Sequence, residues 1–271
     1  MASIASKTCT PKQTLPGASE DNQDKPIIGI IGLGSFGLFV HSLVPPGAKV
    51  TSYDKNRQIQ RRASKMGIKV AGLREVAAAD IVVLGVPLNS YAQLLQQIKP
   101  ILRPQSLLVD VCSIKVLSER LIRRHLPKHR NLLITHPLFG PQSAAKTTRG
   151  HVLMVTNKSG RMAQLVLDYC RRDLGLKIQS LNAWQHDRIM ANVHALTLVI
   201  ARALSDMKIE TGPFITPSYK MLIDLIEFNS QHTQELFETI QLGNPFASAV
   251  RRRLVNSLGR IEKNLSKKGL F

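Results

Sequence analysis

Acidic residues are scarce in this chain. Aspartate and glutamate number 18 against 37 lysines and arginines, which leaves a formal charge of +19 over 271 residues. The excess is spread out: residues 55–74 carry seven basic groups and no acid, and residues 115–130 and 251–271 are nearly as biased. Such a surface attracts polyanions, nucleic acid or anionic small molecules alike. Aromatics make up only 5% of the chain, and no basic stretch is interleaved with them. A protein that stacks bases on aromatic platforms is therefore disfavoured, and an anionic small-molecule ligand is the better partner. Cysteine is scarce too. Cys9, Cys112 and Cys170 are odd in number and far apart, with no CxxC or Cys/His spacing. A disulfide framework and a structural metal are excluded, and a reducing cytoplasm is expected. The first 25 residues lack the apolar centre of a signal peptide and read as a flexible tail. Residues 26–48 lack Lys, Arg, Asp and Glu, yet five glycines and the Pro45-Pro46-Gly47 turn rule out a spanning helix, so no membrane is expected.

What is present is enough apolar material for a core, 44% of the chain, with no repeat and no low-complexity segment. Short β-branched runs at 27–32, 48–54, 81–87, 106–111, 131–135 and 151–156 read as strands. The segments between most of them have helical length, so the pattern predicts a Rossmann-type parallel sheet with crossovers over residues 26–180. No strand is evident after residue 182. The stretch HDRIMANVHALTLVIARAL, 186–204, reads as a long apolar helix, and 217–241 and 244–267 as two more. The expected architecture is thus α/β, a dinucleotide-binding domain followed by an all-helical domain over 181–271. Because residues 189–204 are too apolar to face water, a homodimer is expected through that helical half.

Gly32-Leu33-Gly34-Ser35-Phe36-Gly37 follows the first strand and opens the first helix. In that context GxGxxG is a dinucleotide fingerprint. Gly32 permits the turn, Gly34 lets a pyrophosphate approach the backbone, and Gly37 lets helix and strand pack closely. Ser35 and Phe36 begin the helix whose free N–H groups face the phosphates. Asp54, 22 residues after Gly32 at the end of the second strand, can accept from the ribose hydroxyls and would repel a 2′-phosphate. That favours NAD over NADP, although Arg57, Arg61 and Arg62 nearby keep NADP open. A second constellation is LLITHPLFGP, 132–141. It brings His136 to the carboxyl edge of the sheet and fixes the backbone behind it with Pro137, Gly140 and Pro141. DVCSIK, 110–115, ends a strand at the same edge, so Ser113 and His136 could face one pocket. An imidazole there suits proton transfer near neutral pH, and a neighbouring hydroxyl can hold a substrate or fix the tautomer.

These motifs together, GLGSFG, VVLGVP, DVCSIK followed by THPLFGP, and WQHDRIMANVHAL, resemble the prephenate and arogenate dehydrogenase family of tyrosine biosynthesis, over about residues 27–210. The resemblance implies oxidative decarboxylation of a cyclohexadienol. Hydride leaves C4 for the nicotinamide, the 4-hydroxyl loses its proton, and carbon dioxide departs as the ring aromatises. The family's catalytic histidine falls on His136 and its serine on Ser113. Many relatives carry a substrate-contacting histidine on the first helix of the helical domain; counted from His186-Asp187-Arg188 that place is Leu198, with His194 one turn earlier as a candidate. Some use an arginine there for a substrate carboxylate. Glu238 stands near that place, so Arg202, or Arg251 in the Arg251–Arg253 cluster, would have to supply the charge. Prephenate and arogenate are not distinguished. Two other readings compete. A β-hydroxyacid-type dehydrogenase would need a helical-domain lysine, for which only the isolated Lys208 and Lys220 are at hand. A non-catalytic dinucleotide or nucleic-acid binder would use the charge alone.

Overall fold

The computed structural model describes residues 25–209 and 214–268; the expected N-terminal tail, Cys9 included, lies almost wholly outside the described residues. Strands β1 (Ile27–Ile31), β2 (Lys49–Tyr53), β3 (Ile81–Leu84), β4 (Leu107–Asp110), β5 (Leu132–Pro137), β6 (Val152–Lys158) and β7 (Lys177–Ser180) form one sheet in the order β2-β1-β3-β4-β5-β6-β7. The first five are parallel, joined by helices α1 (Ser35–Ser42), α2 (Arg57–Lys65), α3 (Leu73–Ala77), α4 (Tyr91–Ile98) and α5 (Lys115–His125). Successive residues of a strand point to opposite faces. Val82, Leu84, Leu108 and Ile134 accordingly fill one core, and Ile81, Val83, Leu107, Val109 and Leu133 the other. Both faces are covered, which is why these strands read as unbroken apolar runs rather than alternating ones.

The structure corrects the expected topology in three places. β6 runs antiparallel to β5, with a loop instead of a helix between them. β7, reached through α6 (Arg161–Arg172), was not foreseen because it is a polar edge strand, Lys-Ile-Gln-Ser, without an apolar signal. β5 continues two residues further than the sequence suggested, so His136 lies inside the strand, paired with Met154 of β6. The ladder is irregular between Ile134 and Thr135, just where pairing with β4 ends. A bulge at such a place re-aims the next side chains.

Among the described residues beyond 182 there are helices and no strand, as expected. Ala183–Asp206 is one continuous helix made of α7 (Ala183–Met190), a π-helical segment (Ala191–Ala195) and α8 (Leu196–Asp206). By length and composition it is apolar enough to cross a membrane. Here it packs on α5, α9 (Pro217–Ser230) and α11 (Ala247–Lys268). The single helix expected over 217–241 is two, because Thr233 caps a fresh start: its side chain accepts from Leu236 N–H and opens α10 (Gln234–Gly243). Ala195, Leu198, Ile240 and Ala247 belong to the same buried cluster as Leu84 and Ile134, so one core joins the sheet to the helices.

Candidate active site

The glycine loop has the geometry its spacing demanded. Gly32 has φ +100°, and a Cβ there would sit 2.4 Å from the Gly85 carbonyl oxygen. A Cβ on Gly37 would lie 1.9 Å from the carbonyl oxygen of Gly32, so helix and strand touch backbone to backbone. Gly34 faces open space, and it precedes the free N–H groups of α1. Two glycines are required for packing and the third leaves room for a ligand, which fits a dinucleotide pyrophosphate. Ser35 is exposed at the helix start, beside a 470 Å³ cavity between α1 and the 141–148 loop, while Phe36 leans on Phe39. Asp54 is buried at the end of β2. One carboxylate oxygen accepts from Leu33 N–H at 2.8 Å and the other from Asn56 N–H at 2.8 Å. It therefore pins the glycine loop to β2, and its unused lone pairs can still accept from a ribose hydroxyl.

His136 and Ser113 lie at the carboxyl edge of adjacent strands, two and three residues past the last β4–β5 pair, Asp110–Ile134. The Ser113 hydroxyl is half-buried and has no hydrogen-bond partner among the described residues. His136 is 4% exposed. Its Nδ1 stands 2.9 Å from Nε2 of His186, and its ring stacks 6.1 Å from that of His194 at an interplanar angle of 18°. Burial, then the neighbouring His186, His194 and Lys115, hold its pKa well below the ordinary histidine value. His194 is likewise pushed down to about 4, by burial first and then by His232 and His186. Both imidazoles are neutral near pH 7, the form that can receive a proton.

Beneath His136 lies an ionic cluster the sequence reading did not anticipate. Lys115 is wholly buried. Its Nζ donates to Asp110 Oδ2 at 2.7 Å and to the carbonyl of Thr135, the residue before His136. Asp110 also accepts from Tyr91 OH at 2.6 Å, Ser118 Oγ at 2.7 Å and Cys112 N–H at 2.9 Å. Thr135 Oγ1 donates back to the Asp110 carbonyl. The signal was present in DVCSIK, where an acid and a lysine five residues apart straddle the end of a fully apolar strand.

The remaining candidates separate. His194 comes to His136, whereas Leu198 is buried in the core. Arg202 lies eight residues beyond His194, about 12 Å along the helix. Its guanidinium sits 4.6 Å over the Phe237 ring, donates to Gln234, and lines a cavity of about 60 Å³ with His232. Arg251 is engaged otherwise than expected, donating to the backbone carbonyl and side-chain oxygen of Gln241, so packing already uses its charge. Lys208 and Lys220 are both exposed, and Lys220 pairs with Asp224. Neither is placed to serve His136 in a β-hydroxyacid-type reaction.

Comparison with known proteins places these features. Residues 43–167 match the family model described as prephenate dehydrogenase, nucleotide-binding domain, and residues 203–269 match one described as TYRAAT1-like, C-terminal domain. Arogenate dehydrogenase 2, chloroplastic, of Arabidopsis thaliana is 26% identical over 88% of this chain and 69% of its own length. A probable arogenate/prephenate dehydrogenase of Methanocaldococcus jannaschii is 25% identical over 89% of this chain, but only 57% of its own length. Among solved structures, prephenate dehydrogenase from A. aeolicus in complex with hydroxyphenyl propionate and NAD+ superposes with a TM-score of 0.69 at 17% identity, covering 92% of this chain and 93% of that one. At that identity the likeness is one of fold.

Proposed function

We propose that this chain, which belongs to the prephenate and arogenate dehydrogenase family, oxidatively decarboxylates one of those two cyclohexadienols in tyrosine biosynthesis. The observation that carries the reading is His136: a buried, neutral imidazole at the carboxyl edge of the sheet, backed by His186, with Ser113 just past the end of the adjacent strand. The cofactor is a nicotinamide dinucleotide, and when bound it supplies the hydride acceptor for C4 of the substrate. Gly32, Gly34 and Gly37 shape its phosphate site, with Ser35 and Phe36 at the helix start. His136 accepts the proton of the 4-hydroxyl, and Ser113 contacts the same oxygen. Loss of the ring carboxylate as carbon dioxide and aromatisation then follow from the substrate's own chemistry. Arg202 and Arg251 are the candidates for a carboxylate contact, and each would exchange its bond to Gln234 or Gln241 for the substrate; His194 closes the site above His136. The reading keeps the chain in a reducing cytoplasm, although its Arabidopsis relative is named chloroplastic. Nucleic acid has no role in it.

The test is absorbance at 340 nm with NAD or NADP and with prephenate or arogenate. Reduction of the cofactor by at least one substrate is expected; none with either would end the reading. Asp54 supports NAD, because a carboxylate would repel a 2′-phosphate. Catalytic efficiency with NAD should exceed that with NADP, and tight NADP binding with negligible NAD turnover would reverse the assignment.

Assembly belongs to the same reading. Ile189 and Val193 on the long helix, and Val255, Leu258, Ile261 and Leu265 on α11, are each at least 44% exposed. Apolar stripes of this extent usually meet a partner, and a second copy is the common one. Light scattering at micromolar concentration should give twice the 30.0 kDa chain mass. A stable species of single-chain mass would count against the dimer.

A further inference from the structure

Among the described residues His136 has one hydrogen-bond partner for its ring, His186, and that partner has an unusual second neighbour. His186 is 1% exposed on α7; its Nε2 faces His136 Nδ1 at 2.9 Å and its Nδ1 faces Asp187 Oδ1 at 2.8 Å. Asp187 is wholly buried and acts at a distance in the chain. Its Oδ1 accepts from Lys115 N–H and its Oδ2 from Val116 N–H, both at 2.9 Å. These are the first two N–H groups of α5, a helix whose own N-cap, Ile114, offers no side-chain acceptor. A carboxylate from the helical half thus completes a helix of the sheet half, at the end that stabilises negative charge.

The hydrogen-bonding roles then follow in order. Both Asp187 oxygens accept, so His186 must donate through Nδ1. A neutral His186 carries its only proton there, and its Nε2 presents a lone pair. His136 must therefore donate through Nδ1, and its own lone pair is left on Nε2. We propose that Asp187 and His186 are positioning residues that fix His136 in its Nδ1–H tautomer, with Nε2 free as the proton acceptor. The proposal deepens the dehydrogenase reading and rests on it for the use made of Nε2. When the 4-hydroxyl proton arrives at Nε2, the Nδ1–H bond to His186 strengthens, and the positive charge is shared toward the Asp187 carboxylate. The other charged or titratable groups facing the two rings are His194 on the long helix and Lys115 on α5, and the Lys115 ammonium is paired with Asp110. The competing arrangement is a doubly protonated His186 that donates to His136 Nδ1. It would place the His136 proton on Nε2 and leave nothing to receive the substrate's proton.

The two arrangements differ in an observable that needs no substrate. Long-range 1H–15N correlation spectra of protein with 15N-labelled histidine report the tautomer of each ring, and the His136 signals are assigned by their loss in His136→Asn. The expected result is a protonated Nδ1 and an unprotonated Nε2 on His136 at pH 7.5. A protonated Nε2 would overturn the proposal. His186→Gln should turn the single tautomer into a mixture and lower kcat by roughly 10- to 100-fold, the range found for partners that orient metal-ligating histidines, with KM changed far less. A folded His186→Gln protein with the parent's tautomer and kcat would also overturn it. Should that variant unfold, the parent spectrum alone decides. An Nδ1–H tautomer in a protein that reduces no cofactor with either substrate would sink the dehydrogenase reading and leave the positioning intact.

Discussion

His136→Asn should lower turnover by roughly 10² to 10⁴, the range for losing a positioned acid–base group, with KM much less affected. Asparagine keeps a polar group of similar reach, so the loss reports proton transfer rather than packing. Steady-state kinetics at 340 nm on a variant with the parent's circular dichroism make the comparison; near-normal turnover would remove His136 from the chemistry. Because burial and three neighbouring basic groups hold its pKa well below the ordinary value, the parent should keep its catalytic efficiency as pH falls through about 6.5, and lose it only further down. Stability should behave in the opposite way. The unfolded chain binds protons at His136 and His194 below about 6.5, while folded His194 binds one only near 4. The unfolded state therefore takes up more protons as pH falls, and stability should decline from about pH 6.5 downward while activity persists.

The second large effect concerns Lys115. Lys115→Met removes the cation from a wholly buried pair and leaves Asp110 with only neutral donors, Tyr91, Ser118 and the Cys112 amide. Removing one partner of a buried ion pair costs about 3–5 kcal/mol, because an uncompensated charge stays behind. For a chain of this size that lowers Tm by about 10 °C or more. The double variant Lys115→Met/Asp110→Asn should recover much of the loss, since replacing both charges is often close to neutral. Thermal denaturation followed by circular dichroism is sufficient, and a single variant melting within about 2 °C of the parent would show the pair to be dispensable. The same change frees the Thr135 carbonyl, so whatever turnover survives reports how far His136 depends on its strand being held.

How much of this could be read beforehand depended on the range of the interaction. The GxGxxG roles were legible because each is local: a positive φ at Gly32, and a carbonyl where a Gly37 Cβ would go. His136 at a sheet edge was legible from an apolar run ending in prolines and glycine. Its contact with His186, 50 residues away, was not, since HDR carries no period or composition that points at a strand. Lys115 was overlooked for another reason: a lysine in a basic stretch reads as solvated, although DVCSIK already set Asp110 five residues before it at the end of a buried strand. The helix histidine shows how spacing fails. Counted against relatives from His186, the place is Leu198, with His194 one turn earlier; the fold buries Leu198 in the core and stacks His194 on His136 from within the π-helical segment 191–195.

The shared core has a consequence for how the molecule comes apart. Leu84 and Ile134 of the sheet pack in one buried cluster with Leu198, Ile240 and Ala247 of the helices, and Asp187 closes the first turn of α5 from across that boundary. A chain cut near residue 180 would therefore not be a finished nucleotide-binding unit; it would present raw apolar surface and an open helix end. Heating should dismantle sheet and helices in one cooperative step, and a dinucleotide that binds at the glycine loop should protect the helical half against unfolding as well.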